Sequence, residues 1–320
     1  MNTSKRNRQF KLRPAGLIAL FAVATWAVSL LAADGPNVSI TPRNSLLSTT
    51  TSRATLKVDV SMVLVPVRVT DLTDRPVTDL SRSSFRLFED NIEQTILSVH
   101  TEDGPVSVGF VFDASGSMKK QMDCSIAAVQ QFLSTHMLGD EYFLIRFSYR
   151  PAIITGFTEN PKEILDALWS IQPEGYTALN DAIYLGLHEM KCARNARKAL
   201  FVLTDGGDNN SRYSDPEVRN LVQESDVRIY SVGMFQRSNF LERLATDSGG
   251  RAHWVHKLNE LPEAIEKLSR EFRQEYVLGY TPNEQPNDGK YRRVRVEIVE
   301  TINRTPLNVF WRRGYYSPFY

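Results

Sequence analysis

Asp113, Ser115 and Ser117 alternate with small residues in Asp113-Ala-Ser-Gly-Ser117, directly after the apolar run Val106-Ser-Val-Gly-Phe-Val-Phe112. A carboxylate and two hydroxyls would thus sit where a strand ends. They are hard oxygen donors, which suit a magnesium-like or calcium-like ion and not zinc. Two other stretches offer similar chemistry. Gly175-Tyr-Thr177 opens a helix predicted from Ala178, and Phe201-Val-Leu-Thr-Asp205-Gly-Gly-Asp208 runs from a strand into a turn. If all three follow central strands of a parallel sheet, they share one rim, where ligands of open α/β sheets bind. The candidate metal-binding set is therefore Asp113, Ser115, Ser117, Thr177 and Asp205. Gly116 and Gly206 are expected to let the backbones approach closely. Asp208 reads as a turn residue, and Asp181, inside a helix, as a surface or rim carboxylate.

Each of these residues has a plainer role when taken alone. Ser and Thr at strand-to-helix junctions often only cap the helix, and Asp113 could simply make a turn. Enzyme readings find less support. A phosphoryl-accepting Asp113 would want a second aspartate where Ser115 stands. A serine nucleophile needs a base, and no histidine is tied to these loops. The chain has no Gly-x-Ser-x-Gly, no phosphate-binding G-x-x-x-x-G-K-[S/T] and no G-x-G-x-x-G. His100, His136, His188, His253 and His256 show no ligand pairing. Arg292, Arg293 and Arg295 read as a solvated strand face, not a nucleic-acid patch.

The elements that must position the site are strands alternating with helices over residues 106–273. Strands are predicted at 107–112, 142–148, 152–157, 199–204, 227–232 and 252–255, the second and third as a hairpin with one antiparallel edge strand. Apolar residues step by three and four in Met118, Met122, Ile126, Val129 and Leu133, and again in Leu179, Ile183, Leu187 and Met190. Leu258, Leu261, Ile265, Leu268 and Phe272 repeat the pattern, and Ser214 or Asp215 with Pro216 starts a helix near 215–226. This predicts an α/β fold: a doubly wound, mostly parallel, six-stranded sheet covered on both faces. Helix dipole at Met118 would favour an incoming anion.

Both flanks read as β. Before the α/β unit, Leu56 to Val69 alternates but switches phase, which calls for a bulge, a break or two-sided burial. Pro66 suggests an edge position or an interruption there. After the unit come Tyr276-Val-Leu-Gly-Tyr280, Val294 to Ile298, and Leu307 to Trp311. The expected organisation is 55–103 and 274–320 pairing into one small β-sandwich around a 104–273 unit, with the aromatic tail Tyr315 to Tyr320 capping it or serving as a partner-docking tail. Residues 34–54 are rich in Ser, Thr, Pro and Asn and read as a linker.

At the N-terminus, Lys5, Arg6, Arg8, Lys11 and Arg13 precede an uncharged run from Ala15 to Ala33. As a helix this run of about 19 residues would span ~28 Å. Residues 1–33 therefore read as a signal peptide or signal anchor, which places the rest in the periplasm, at the cell surface or outside the cell, with residues 15–33 as a membrane tether if uncleaved. A net charge of +1 points to neither nucleic acid nor an acidic membrane as partner. Cys124 and Cys192 are expected at opposite rims, both as packed thiols rather than a bridge.

The five-residue set matches the metal-ion-dependent adhesion motif D-x-S-x-S…T…D, and residues 106–273 resemble a von Willebrand factor type A (VWA) domain. The stretches Arg75-Pro-Val-Thr-Asp-Leu…Phe85…Phe88-Glu-Asp and Tyr276-Val-Leu-Gly-Tyr…Asp288-Gly…Arg-Gly-Tyr-Tyr316 extend the resemblance to the VWFA-related family described in acidobacteria. The resemblance implies a bound Mg²⁺, Mn²⁺ or Ca²⁺, with Asp113 and Asp205 acting mostly through waters or hydrogen bonds. It implies an open coordination position for an Asp or Glu carboxylate of a protein partner. It further implies adhesion or protein binding rather than catalysis, with a last helix, 259–273, that could shift when ligand engages. Two alternatives stand beside it: an envelope scaffold whose metal site meets no ligand, and a metal-dependent phosphohydrolase.

Overall fold

Val65, Val67 and Val69 are buried while Met62 and Leu64 are exposed, so the valine face of the first strand is the one turned to a core. The computed structural model describes residues 62–283, 288–299 and 306–318, all within the unit Val58–Tyr320. The predicted leader, the linker and Leu56 to Val60 lie outside the described residues. Strand β1 runs Val63–Thr70, followed by β2 (Phe85–Glu89), β3 (Ile92–Gln94) and β4 (Ile96–Glu102). Asp90 and Asn91 join β2 to β3 with φ of 45° and 69°, the signature of a two-residue hairpin turn whose twist matches the strands. Pro66 is not on an edge. β1 has a neighbour on each side, but its pairing with one of them begins only at Val67, so the missing N–H costs that ladder no bond.

The chain then enters the α/β unit. In order come β5 (Val106–Asp113), α1 (Met122–Leu133), β6 (Glu141–Phe147), β7 (Pro151–Thr158), α2 (Pro161–Trp169), α3 (Leu179–Glu189), β8 (Arg197–Thr204), α4 (Asp215–Glu224), β9 (Arg228–Met234), α5 (Asn239–Ser248), β10 (Arg251–Val255) and α6 (Leu261–Arg273). The sheet order is β10-β9-β8-β5-β6-β7. Every pair is parallel except β6 with β7, as expected of a hairpin at one edge. β5 is buried at all eight positions, because helices cover both sheet faces. On one face α1 and α6 enclose Phe110, Phe132, Phe201 and Phe272; on the other α3, α4 and α5 enclose Val111, Ile183, Leu200 and Leu244. Phe132 meets Phe201 edge-on at 4.5 Å. Truncating such a buried ring costs about 3–5 kcal/mol.

Helices α2 and α5 were not among the predicted ones, although both carry end signals. Asn160 caps α2 before Pro161, and α5 starts at Ser238 and stops at Gly249 in the left-handed region. The segment after Asp113 also differs. It makes a 3₁₀ turn over Gly116–Lys120, and the α-helix begins only at Met122. The helix dipole expected at Met118 therefore starts one turn later. Both thiols are free, but Cys192 is exposed: it ends a 3₁₀ turn (Met190–Cys192) beyond α3, past the face that Met190 buries.

The remaining strands are β11 (Glu275–Tyr280), β12 (Tyr291–Ile298), β13 (Asn308–Trp311) and β14 (Gly314–Tyr316). They pair with the N-terminal strands in two sheets, β13-β1-β11-β4 and β14-β12-β2-β3. Val67, Leu87, Leu278 and Val296 from both sheets share one core. A β-sandwich built from the two flanks of the chain thus carries the α/β unit. Glu89 of β2 accepts from Tyr280 across the sandwich and from Tyr315 within its own sheet. Tyr316 is exposed, and Phe319 and Tyr320 of the expected cap lie outside the described residues.

Buried charges join the two parts. Arg197 and Arg228, which open β8 and β9, both meet Glu275 at the start of β11, at 3.0 and 2.8 Å. Glu271 of α6 takes Arg68 of β1 at 3.3 Å and Arg251 of β10 at 2.6 Å. Arg197 also donates to the Phe272 carbonyl. Arg197, Arg228 and Arg251 begin parallel strands, so the sandwich is fastened to the sheet's N-terminal rim, opposite the rim that carries the candidate site.

Candidate metal centre

Asp113 is the last residue of β5 and is fully buried. One carboxylate oxygen accepts the Ser115 N–H at 2.8 Å, and the other accepts the Thr204 hydroxyl at 2.6 Å. The first bond folds the chain back at once, and so presents Ser115 and Ser117 above the sheet edge. Burial pushes the Asp113 carboxyl up to about 6, against the pull of those hydrogen bonds, and the nearby Asp205 charge adds to the rise. A cation placed here would reverse that balance.

Four of the five predicted residues form one hydrogen-bonded chain. From Asp113 the chain runs to Ser115; Ser115 Oγ lies 3.1 Å from Ser117 Oγ, and Ser117 Oγ donates to Asp205 Oδ1 at 2.8 Å. Gln121 Nε2 holds the other Asp205 oxygen at 3.3 Å. Ser115 is buried and Ser117 exposed, with Asp205 between them in accessibility, so the cluster opens toward solvent at one end.

Thr177 reaches the same rim by another route. Its loop does not follow a strand, as expected, but comes after α2. It is tied down by backbone bonds from Gly116 N to Gly175 O, Glu174 N to Ala114 O and Ala178 N to Ser148 O. Thr177 also exchanges two bonds with Asn209: its N–H goes to Asn209 Oδ1 at 2.8 Å, and it accepts the Asn209 N–H on its carbonyl at 3.0 Å. The loop depends on a glycine other than those expected. Gly116 and Gly206 have room for a side chain, whereas Gly175 has φ +82° and a Cβ there would fall 2.2 Å from the Tyr149 ring.

Asp181, expected as a surface or rim carboxylate, stands at the rim but is buried there. It is buried at the start of α3, where it accepts the Arg212 and Tyr213 N–H groups at 2.8 and 3.1 Å and pairs with the Arg212 side chain at 2.9 Å. Asp208 makes a turn, accepting from Ser211 and from the Asn180 N–H. The two aspartates shape the 208–213 loop that carries Asn209. Thr204, Asn209 and Gln121 are neighbours of this cluster that the sequence did not single out. So are Tyr149 and Tyr176, exposed rings that meet edge-on at 5.4 Å beside the Thr177 loop. Thr204 could have been found from its place just before Asp205; the others reach the site only through the fold.

The donors fit a hard cation. Adjacent ligands of an octahedral ion with bonds of about 2.0–2.1 Å lie ~3 Å apart, and the Ser115, Ser117 and Asp205 oxygens show separations of 3.1 and 2.8 Å. Those separations serve equally as hydrogen bonds. Among the described residues no group of three His, Cys, Asp or Glu is placed to hold a metal, so a thiolate or imidazole centre has no counterpart here.

Known proteins share this fold. Residues 108–207 match the von Willebrand factor type A domain. The human inter-alpha-trypsin inhibitor heavy chain H4 (Homo sapiens) is 28% identical over 171 residues, covering 48% of this chain and 18% of the relative. The bovine heavy chain H3 (Bos taurus) is 30% identical over 173 residues, covering 48% and 19%. The chain thus spans about a fifth of the length of these curated relatives. In structure, proximal thread matrix protein 1 from the mussel byssus superposes with a TM-score of 0.50 at 18% identity, covering 57% of this chain and 51% of that one. The chain thus contains a VWA domain, and strands β6, β7 and β8 and most of β5 of the six-stranded sheet fall within the matched residues.

Proposed function

We propose that this chain is a divalent-metal-dependent protein-binding module of the adhesion type. The observation that carries the reading is the bonded run Asp113–Ser115–Ser117–Asp205, with the Thr177 loop tethered beside it. Ser115, Ser117 and Thr177 would hold Mg²⁺, or Mn²⁺ or Ca²⁺, through neutral hydroxyls, while Asp113 and Asp205 orient those hydroxyls and balance the charge. A cation bound mainly by uncharged oxygens stays electrophilic and can accept a carboxylate from outside. Exposed Ser117 marks the open end, and Tyr149 and Tyr176 offer apolar surface beside it for the partner's neighbouring side chains. That VWA domains generally serve as interaction modules supports binding over turnover. Export through the basic-then-apolar segment 1–33 belongs to the same reading and would put the rim in contact with envelope or extracellular proteins.

The test is retention of a partner from cell-envelope or secreted material on immobilised protein. The account expects a protein retained with Mg²⁺, released by EDTA, and absent with Ser115→Ala/Ser117→Ala. Retention that survives both EDTA and the double substitution would contradict it.

A further inference from the structure

A cleft lies away from the rim, between the outer face of strands β12 and β14 and helices α4 and α5. Its volume is about 710 Å³, within the range of small-molecule sites. Four arginines line it, Arg219, Arg293, Arg295 and Arg313, against two carboxylates, Asp90 and Asp247. The carboxylates are already engaged. Asp247 takes Arg219 Nε at 2.6 Å and Gln223 Nε2 at 3.2 Å, and Asp90 accepts the Arg293 N–H at 3.0 Å. Arg295 pairs with Glu297 and lies over the Phe88 ring. Arg293 and Arg313 are left with no carboxylate within ion-pair reach among the described residues.

Arg313 is the more telling of the two. Its guanidinium stacks 3.8 Å over the Trp311 ring and is half-buried, and burial pulls its pKa below the usual arginine range. A partly desolvated cation is costly, and the Asp247 charge, already paired with Arg219, offsets that burial only in part. An anion in the cleft would offset that cost through charge-assisted, forked hydrogen bonds. Across the cleft Tyr291 and Tyr316 meet edge-on at 5.1 Å. The Tyr291 ring is so close to Gly314 that a Cβ there would fall 2.6 Å from it, which fixes this aromatic wall.

We propose that the cleft binds a compact polyanion, a small molecule with two or more carboxylate or phosphate groups, held by Arg293 and Arg313 with the tyrosine pair as its wall. The site does not depend on the metal reading, since it shares no residue with the rim.

The test is calorimetric titration of the full chain, stripped of metal with chelator and then dialysed, at low ionic strength. Citrate and pyrophosphate are the probes, acetate the singly charged control, and the chain is compared with Arg293→Gln, Arg313→Gln and the double variant. Metal-free protein keeps chelation at the rim out of the readout. The expected result is saturable binding of citrate, pyrophosphate or both. Each single variant should weaken it by at least about tenfold, and acetate should give none; which probe binds more tightly tells carboxylate from phosphate. Absence of saturable binding by either polyanion at millimolar concentration overturns the proposal. So does unchanged affinity in the double variant with an unchanged circular dichroism spectrum.

Discussion

Ser117 donates a 2.8 Å hydrogen bond to Asp205 across 88 residues of sequence. That bond closes the rim between the turn after β5 and the turn after β8, and it sets the direction of a hydroxyl that would ligate the cation. Asp205→Ala should therefore weaken Mg²⁺ binding by about 10–100-fold, the usual effect of losing a group that orients a metal ligand. Asp205 is partly exposed, so the unfolding free energy should change by less than about 1 kcal/mol. Titration calorimetry and urea unfolding on one preparation separate the two effects. A large stability loss with unchanged Mg²⁺ affinity would make Asp205 structural.

Gly175→Ala places a methyl group at φ +82° and against the Tyr149 ring. Left-handed backbone and the steric conflict together should cost about 1–3 kcal/mol, and displacement of Thr177 should weaken metal binding. Tyr149→Ala/Gly175→Ala should regain part of the stability because the ring is gone and only the backbone strain remains. If the double variant is as unstable as the sum of both single variants, the ring is not the obstacle.

Glu271→Leu leaves Arg68 buried without its partner, and Arg251 with Asp74 alone. Breaking such a buried pair costs about 3–5 kcal/mol, to be read from urea unfolding. The Arg68–Glu271 pair also fastens α6 to the sandwich. If the expected shift of that helix accompanies ligand engagement, loosening the fastening should also change partner affinity at the opposite rim. Destabilisation with unaltered affinity would separate the two.

Asp181 supplies a pH signature. Burial acts to raise its pKa but is outweighed by the Tyr213 N–H and the Arg212 contacts, and the carboxyl is held below its ordinary 3.8. The native state thus binds this proton more weakly than the unfolded chain. Its contribution is fully present above the unfolded value and is lost as pH falls through the folded one. Asp181→Asn should be about 1–2 kcal/mol less stable at pH 7, and the gap should narrow as the pH falls below the ordinary 3.8 and through the lower folded value. Stability curves that stay parallel throughout that fall would contradict the assignment.

Much of this architecture was legible because hydrophobic period reports burial. The strand ends at Asp113 and Thr204, the hairpin edge, the α1 and α6 faces and the β character of both flanks follow from patterns local to each segment, and the pairing of the flanks is inferred because neither has strands enough alone. What stayed hidden depends on contacts between distant segments. Asp181 looked like a surface residue because a charge inside a helix usually faces water, yet the 208–213 loop folds over it. The anchoring of Thr177 by Asn209, and the need for glycine at 175, arise only once α2 returns the chain to the rim. Pro66 suggested an edge because the sequence does not show that β13 pairs only from Val67 onward.

The most direct measurement is titration of metal-free protein with Mg²⁺, Mn²⁺ and Ca²⁺ in parallel with Ser115→Ala/Ser117→Ala. The account predicts one saturable site for at least one of these ions in the unaltered chain and none in the double variant, with both proteins folded by circular dichroism. No uptake of any of the three at millimolar concentration, or equal uptake by the variant, would contradict it.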